Sequence, residues 1–219
     1  MNSVPQWDYP STGVVRLLDE PEIPAGLLQA FRSDLCSADS VRNLTRAVAS
    51  SRPTWQAAVR AEQMFATFLK VDRQTQAILC TFVSVMNNSR YCIDDCAGSA
   101  LEFGVEPVAL YALPQATAAA LGDRLMSFLR YAYWVVAKPN QIPAEVISQL
   151  CAQADDEEIL EVTTIVSMKC FWNHFVSALS IPLEHRCKDR DLLNALCLAA
   201  TGPIPEPGST NEIADGRSQ

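Results

Sequence analysis

Apolar residues recur along this chain at helical spacing, and Gly and Pro fall between the periodic segments rather than inside them. Pro53 suits the first turn of a helix running to about Lys70, with Trp55, Val59, Met64, Phe65 and Leu69 on its apolar side. The next segment, Arg73 to Asn87, is apolar nearly all round through Ile78, Leu79, Phe82, Val83, Val85 and Met86, which places it in the middle of a bundle. Asn87-Asn88 interrupts it, and Ser89 caps a helix that ends near Gly104. A short helix from Glu106 to Ala112 stops at Pro114. A long one then runs from about Gln115 to Ala137, and Lys138-Pro139-Asn140 breaks it. Pro143 opens Ala144 to Ala152. The acids Asp155 to Glu158 complement the positive end of a helix that continues to about Ser180. Asp191 to Ala200 forms the last helix, before a Pro/Gly/Ser tail from Gly202 that reads as disordered. Ahead of these, residues 1–24 hold four prolines and read as an extended arm. Ile23-Pro24 opens a helix through Leu35, and Ser40 to Ser50 a second short one. The pattern predicts an all-α protein.

Composition narrows this further. A length of 219 residues with 49% hydrophobic positions supplies one sizeable core, with room for an arm and a tail. The net charge of −8, without a Lys/Arg stripe, argues against a nucleic-acid partner. No membrane span is expected, because the longest apolar stretch, Leu125 to Ala137, is short and interrupted by Arg130. Met1 to Pro10 lacks the features of a secretory signal. Cys36, Cys80, Cys151, Cys170 and Cys197 are scattered through helical surroundings and read as reduced residues, mostly in the core, of a cytoplasmic protein.

The chemistry concentrates in Ser-Arg-Tyr-Cys-Ile-Asp-Asp-Cys, residues 89 to 96. Cys92 and Cys96 are four residues apart and share one helix face. Cys92 lies in the first turn, where the helix dipole favours a nucleophilic thiolate, while Asp94 and Asp95 oppose it. Cys96 either resolves a sulfenic acid on Cys92 or only fills space. A Cys-x3-Cys spacing with no second Cys/His pair nearby speaks against a metal site. His174, one of only two histidines, is a candidate acid or base, or else a core or interface residue. Ser89 and Tyr91 could offer hydroxyls to a substrate, or serve as cap and packing residue.

The order of these elements resembles the carboxymuconolactone decarboxylase / alkylhydroperoxidase-D-like family over about residues 43 to 183. Residues 77 to 104 look like its active-site helix pair, Phe128 to Ala132 like its Phe-Ala-containing helix, Gln141 to Ile159 like the lead into its last core helix, and Phe171-Trp-Asn-His-Phe like the element that follows. The peroxidase branch uses a Cys-x-x-Cys pair, a His four residues after it and a Glu twelve before it. Here those positions hold Ser89 and Cys92, Cys96, and Ala77. One thiol of the pair is retained and the proton relay is not.

The resemblance implies an alkylhydroperoxidase-D-like helical bundle over 43–183, preceded by an arm and first helix over 1–42 and followed by a helix and tail over 184–219. It also implies a homo-oligomer (dimer, trimer or hexamer) acting on a small-molecule substrate without a cofactor. Three functions follow: a peroxidase-like thiol oxidoreductase using Cys92 with Cys96, a non-redox decarboxylase, isomerase or lyase acting on a small apolar acid or cyclic metabolite, or a non-catalytic assembly protein. The enzymatic readings expect a cavity lined by Tyr91, Cys92, Cys96 and His174.

Overall fold

A computed structural model describes residues 13–26, 28, 42–68, 70–115 and 121–208. The expected helix from Ile23 to Leu35 falls outside these beyond position 28, as do Cys36, Leu69 and the side chain of Phe65. Nine α-helices occur among the described residues: α1 (Asn43–Val48), α2 (Arg52–Thr67), α3 (Arg73–Met86), α4 (Arg90–Glu102), α5 (Pro107–Ala112), α6 (Asp123–Ala137), α7 (Ala144–Gln153), α8 (Asp156–Ala178) and α9 (Arg190–Ala199). There is no strand among them, so the protein is all-α. None of these helices is long and apolar enough to cross a membrane.

Local chemistry sets the helix starts. Asp72 accepts from the Thr75 backbone N–H at 2.9 Å and caps α3. Asp155 and Glu158 cap α8 reciprocally, each carboxylate accepting from the other's backbone N–H at 2.9 and 3.0 Å. Asp189 caps α9 through the Leu192 N–H at 2.9 Å.

α3 occupies the centre, packed against α4, α6 and α8, as its nearly uniform apolarity requires. Leu79, Phe82 and Val83 of α3 meet Phe128, Leu129 and Ala132 of α6 and Val162, Ile165 and Val166 of α8 in one core, all fully buried.

Two expected features differ. The helix foreseen from Gln115 to Ala137 is not continuous: Leu113–Gln115 form a 3-10 turn, and α6 begins only at Asp123. Gly122 precedes it with φ 78°, a left-handed conformation that glycine adopts without a Cβ clash and that no helix can continue through. The tail is not loose from Gly202. Pro207 is buried, and Glu206 pairs with Arg130 of α6 at 2.9 Å, tying residues 202–208 to the bundle. The described part of the arm is likewise held, Val14 N–H donating to Leu179 O at 2.9 Å and Arg46 Nε to Leu18 O at 2.8 Å.

One connection positions the site. Residues 181–189 lead from α8 to α9 and cross the outer face of α4 as a strap. The fully buried Asp94 carboxylate accepts from the backbone N–H groups of Arg186 at 3.1 Å and Cys187 at 3.2 Å. Gly98 lets the strap approach: a Cβ there would lie 2.8 Å from the Arg186 carbonyl carbon.

Candidate functional site

Helical period alone puts Cys92 and Cys96 on one face of α4, and packing turns that face inward. Cys92 is 2% exposed and Cys96 6%. Two neighbours complete the cluster. α3 contributes Cys80, half-buried, which helps to draw the Cys96 thiol down. α8 contributes Lys169, only 7% exposed, whose ammonium acts on Cys80, Cys92, Cys96 and Asp95 together. None of the seven described cysteines is in a disulfide.

The electrostatics separate the two α4 thiols. Burial pushes Cys92 up to about 11, and the Lys169 charge only partly opposes it. Cys96 is drawn down to about 7, first by the hydrogen bond from Cys80, and, against the cost of burial, by the charge of Lys169 and a hydrogen bond from it. The helix dipole favours a thiolate at Cys92, in the first turn of α4, but burial and partners across the helix packing favour it at Cys96 instead. Burial by itself would depress the lysine, but negative charge on Cys92, Cys96, Cys80 and Asp95 holds Lys169 well above its ordinary value. Burial also penalises the Asp95 carboxylate, yet Arg42, Arg186 and Lys169 keep it below its usual range. Arg186 donates to Asp95 Oδ1 and to Ser99 Oγ, each at 2.9 Å, and Arg42 lies 3.4 Å from the same carboxylate. This ion network locks the strap over α4.

Ser89 stands at the N-cap of α4 as expected, but its hydroxyl makes no capping bond. It is fully buried, donating to Asn173 O at 3.4 Å and receiving from Ser177 at 3.2 Å. Asn173 in turn accepts from Ser84 at 3.2 Å and donates to Val83 O at 3.2 Å, clamping α8 to α3. The Tyr91 hydroxyl donates to Glu184 of the strap at 2.5 Å, and Asn43 N–H donates to the same oxygen at 2.6 Å. Burial raises both acids, the Tyr91 phenol strongly. His174 is exposed, about 140° round α8 from Lys169 at 100° per residue, so it does not join the buried cluster.

A cavity of about 390 Å³ lies elsewhere, between α6, α7 and Gly208, lined by residues including Met126, Arg130 and Gln149. None of the residues expected to line a substrate pocket borders it. Among the described residues no group of three or more His, Cys, Asp or Glu side chains is arranged to hold a metal ion. The cation beside the thiols is the Lys169 ammonium.

Sequence reasoning missed Lys169, Cys80 and Glu184. For Lys169 a signal existed: it follows Val162, Ile165 and Val166 at helical spacing, which places it on the buried face of an otherwise apolar helix. For the other two no local pattern pointed inward.

No family model matches the chain, and no curated protein does. Among solved structures it is similar to the crystal structure of an alkylhydroperoxidase AhpD core, an uncharacterized peroxidase-related protein from Ralstonia eutropha. The TM-score is 0.70 over 83% of this chain and 94% of that chain, at 12% identity. The likeness is therefore one of fold: this protein has the alkylhydroperoxidase-D-like helical fold.

Proposed function

We propose that this protein is a peroxidase-like, thiol-dependent oxidoreductase in which Cys96 supplies the attacking thiolate and Lys169 stabilises it. The observation that carries the reading is a lysine ammonium buried against three thiols. Burying an isolated charge costs several kcal/mol, so the arrangement is stable only with negative charge beside it, and a thiolate meets that need. In the first step the Cys96 thiolate attacks the terminal oxygen of a hydroperoxide. The O–O bond breaks, Cys96 becomes a sulfenic acid, and the alcohol or water leaves with a proton. A second thiol of the cluster then condenses with the sulfenic acid, releasing water and forming a disulfide, which an external dithiol reduces. The fold shared with a peroxidase-related protein supports this reading.

The test is hydrogen peroxide consumption with dithiothreitol as reductant. Replacing Cys96→Ser should remove turnover to background, because serine cannot form the thiolate. Undiminished consumption in that variant, or none in the wild-type protein, rejects the proposal.

A second reading, a non-redox decarboxylase, isomerase or lyase acting on a small apolar acid or cyclic metabolite, is favoured by the part-buried Tyr91–Glu184 pair. Burial raises Glu184, as a general acid requires. On that reading Glu184→Gln abolishes activity, and Cys92→Ser with Cys96→Ser leaves it intact.

A further inference from the structure

We propose that the cavity between α6 and α7 binds a small amino acid, and that Glu206 of the tail stands in for the ligand's carboxylate when the site is empty. The site lies outside the thiol cluster and is independent of the peroxidase-like reading. At about 390 Å³ the cavity is of the size that takes small molecules. Its walls carry both charges. Arg130 of α6 borders it at one end, and Asp123, the first residue of that helix, at the other. Seven residues separate them, so they share one face of the helix about 10 Å apart along its axis. Gln149 and Gln153 of α7 add amides, and Met126 and Ala152 an apolar patch. A dicarboxylic acid meets a like charge in Asp123, and a simple amine meets one in Arg130. A zwitterion satisfies both, its carboxylate on Arg130 and its ammonium turned toward Asp123.

The tail marks where that carboxylate goes. Arg130 gives Nη1 to Gln149 and turns its Nε and Nη2 edge to the tail. Both donors converge on one oxygen, Glu206 Oε1, at 3.2 and 2.9 Å. An arginine edge pairs best with two carboxylate oxygens, one for each N–H. Glu206 is held short of that by its neighbours. Pro207 is buried, and Gly208 runs so close to the cavity wall that a Cβ there would lie 3.5 Å from Met126 Cε. A free carboxylate has no such tether and takes both N–H groups, displacing Glu206 and lifting the tail from the cavity. Glu145 stands 3.7 Å from Nη1, so it does not compete for the same edge.

Methyl-labelled methionine reads this site by NMR, because Met126 lines the cavity and is one of only five methionines in the chain. The probe is L-glutamine, whose side-chain amide suits Gln149 and Gln153. The control is L-glutaminamide, which lacks the carboxylate, and Met126→Leu assigns the signal. L-Glutamine at millimolar concentration should shift the Met126 methyl resonance saturably, and the control should not. In Glu206→Gln the Kd should fall about tenfold, because the internal competitor is gone. Arg130→Gln should abolish the shift, and Asp123→Asn, at an exposed position, should weaken binding severalfold. A Met126 signal unmoved by L-glutamine in both the wild-type protein and Glu206→Gln overturns the proposal. So does an equal response to L-glutaminamide, or a shift confined to other methionines. Equal affinity in the wild-type protein and Glu206→Gln overturns the role given to Glu206.

Discussion

Along α8, Val162, Ile165 and Val166 enter an apolar core, whereas Lys169 and Asn173, one to two turns further on, enter a layer of thiols, a carboxylate and backbone carbonyls. α3 changes in the same way: Leu79, Phe82 and Val83 face the first region, Cys80 and Ser84 the second. The same helices thus build two interiors by different rules. In the apolar half each side chain contributes by area and fit, and no single partner is indispensable. In the polar half every group depends on a named partner, because an unmatched buried donor or charge is costly. Stability resides chiefly in the first, and the proposed chemistry in the second.

Truncation in the apolar half should break the comparison most severely. Phe82→Ala is expected to cost about 3–5 kcal/mol of folding free energy, the range for a buried Phe, read by chemical denaturation. A cost below about 1 kcal/mol would show that this region does not carry the fold.

The next effect belongs to the polar half. Lys169→Met keeps the stem volume and removes the charge, so the fold should persist while Cys96 loses part of its acidity. With Cys96 at about 7, reactivity toward iodoacetamide should rise with pH, level off above 7, and fall as the pH drops below it. In the variant the midpoint should move up by roughly one to two units, lowering the thiolate fraction at pH 7 about five- to fifty-fold. The sign for stability follows. The folded thiol titrates below its unfolded value, so the contribution of Cys96 is present in full above about pH 9 and is lost as pH falls through about 7. An unshifted midpoint would remove Lys169 from the account.

The smallest effect concerns the strap on the far side of α4. Gly98→Ala improves helix propensity by roughly 1 kcal/mol but drives a methyl into the Arg186 backbone, where overpacking costs about 1–3 kcal/mol. A net loss of about 1 kcal/mol is expected in a thermal or denaturant melt, and a gain in stability would mean that the strap yields freely.

Most helix limits were legible in the sequence, since Asp72, Pro143 and Asp155 are local signals acting on local backbone. The break at Gly122 was not, because an isolated glycine in a periodic stretch does not announce its φ. Of the candidate site, Cys92 and Cys96 on one buried face were readable from a four-residue spacing, and His174 lay outside the cluster because its helix turns it to solvent.

The linear chain by itself determined an all-helical protein with two thiols stacked on one helix, because hydrophobic period and capping act over a turn or two. Only the tertiary structure decided which of those thiols is acidic and what stands beside it. Lys169, Cys80, Arg186 and Glu184 arrive from other helices and from the strap. Acidity in a buried site is set by desolvation and by charges a few ångströms away, and chain order does not encode those distances.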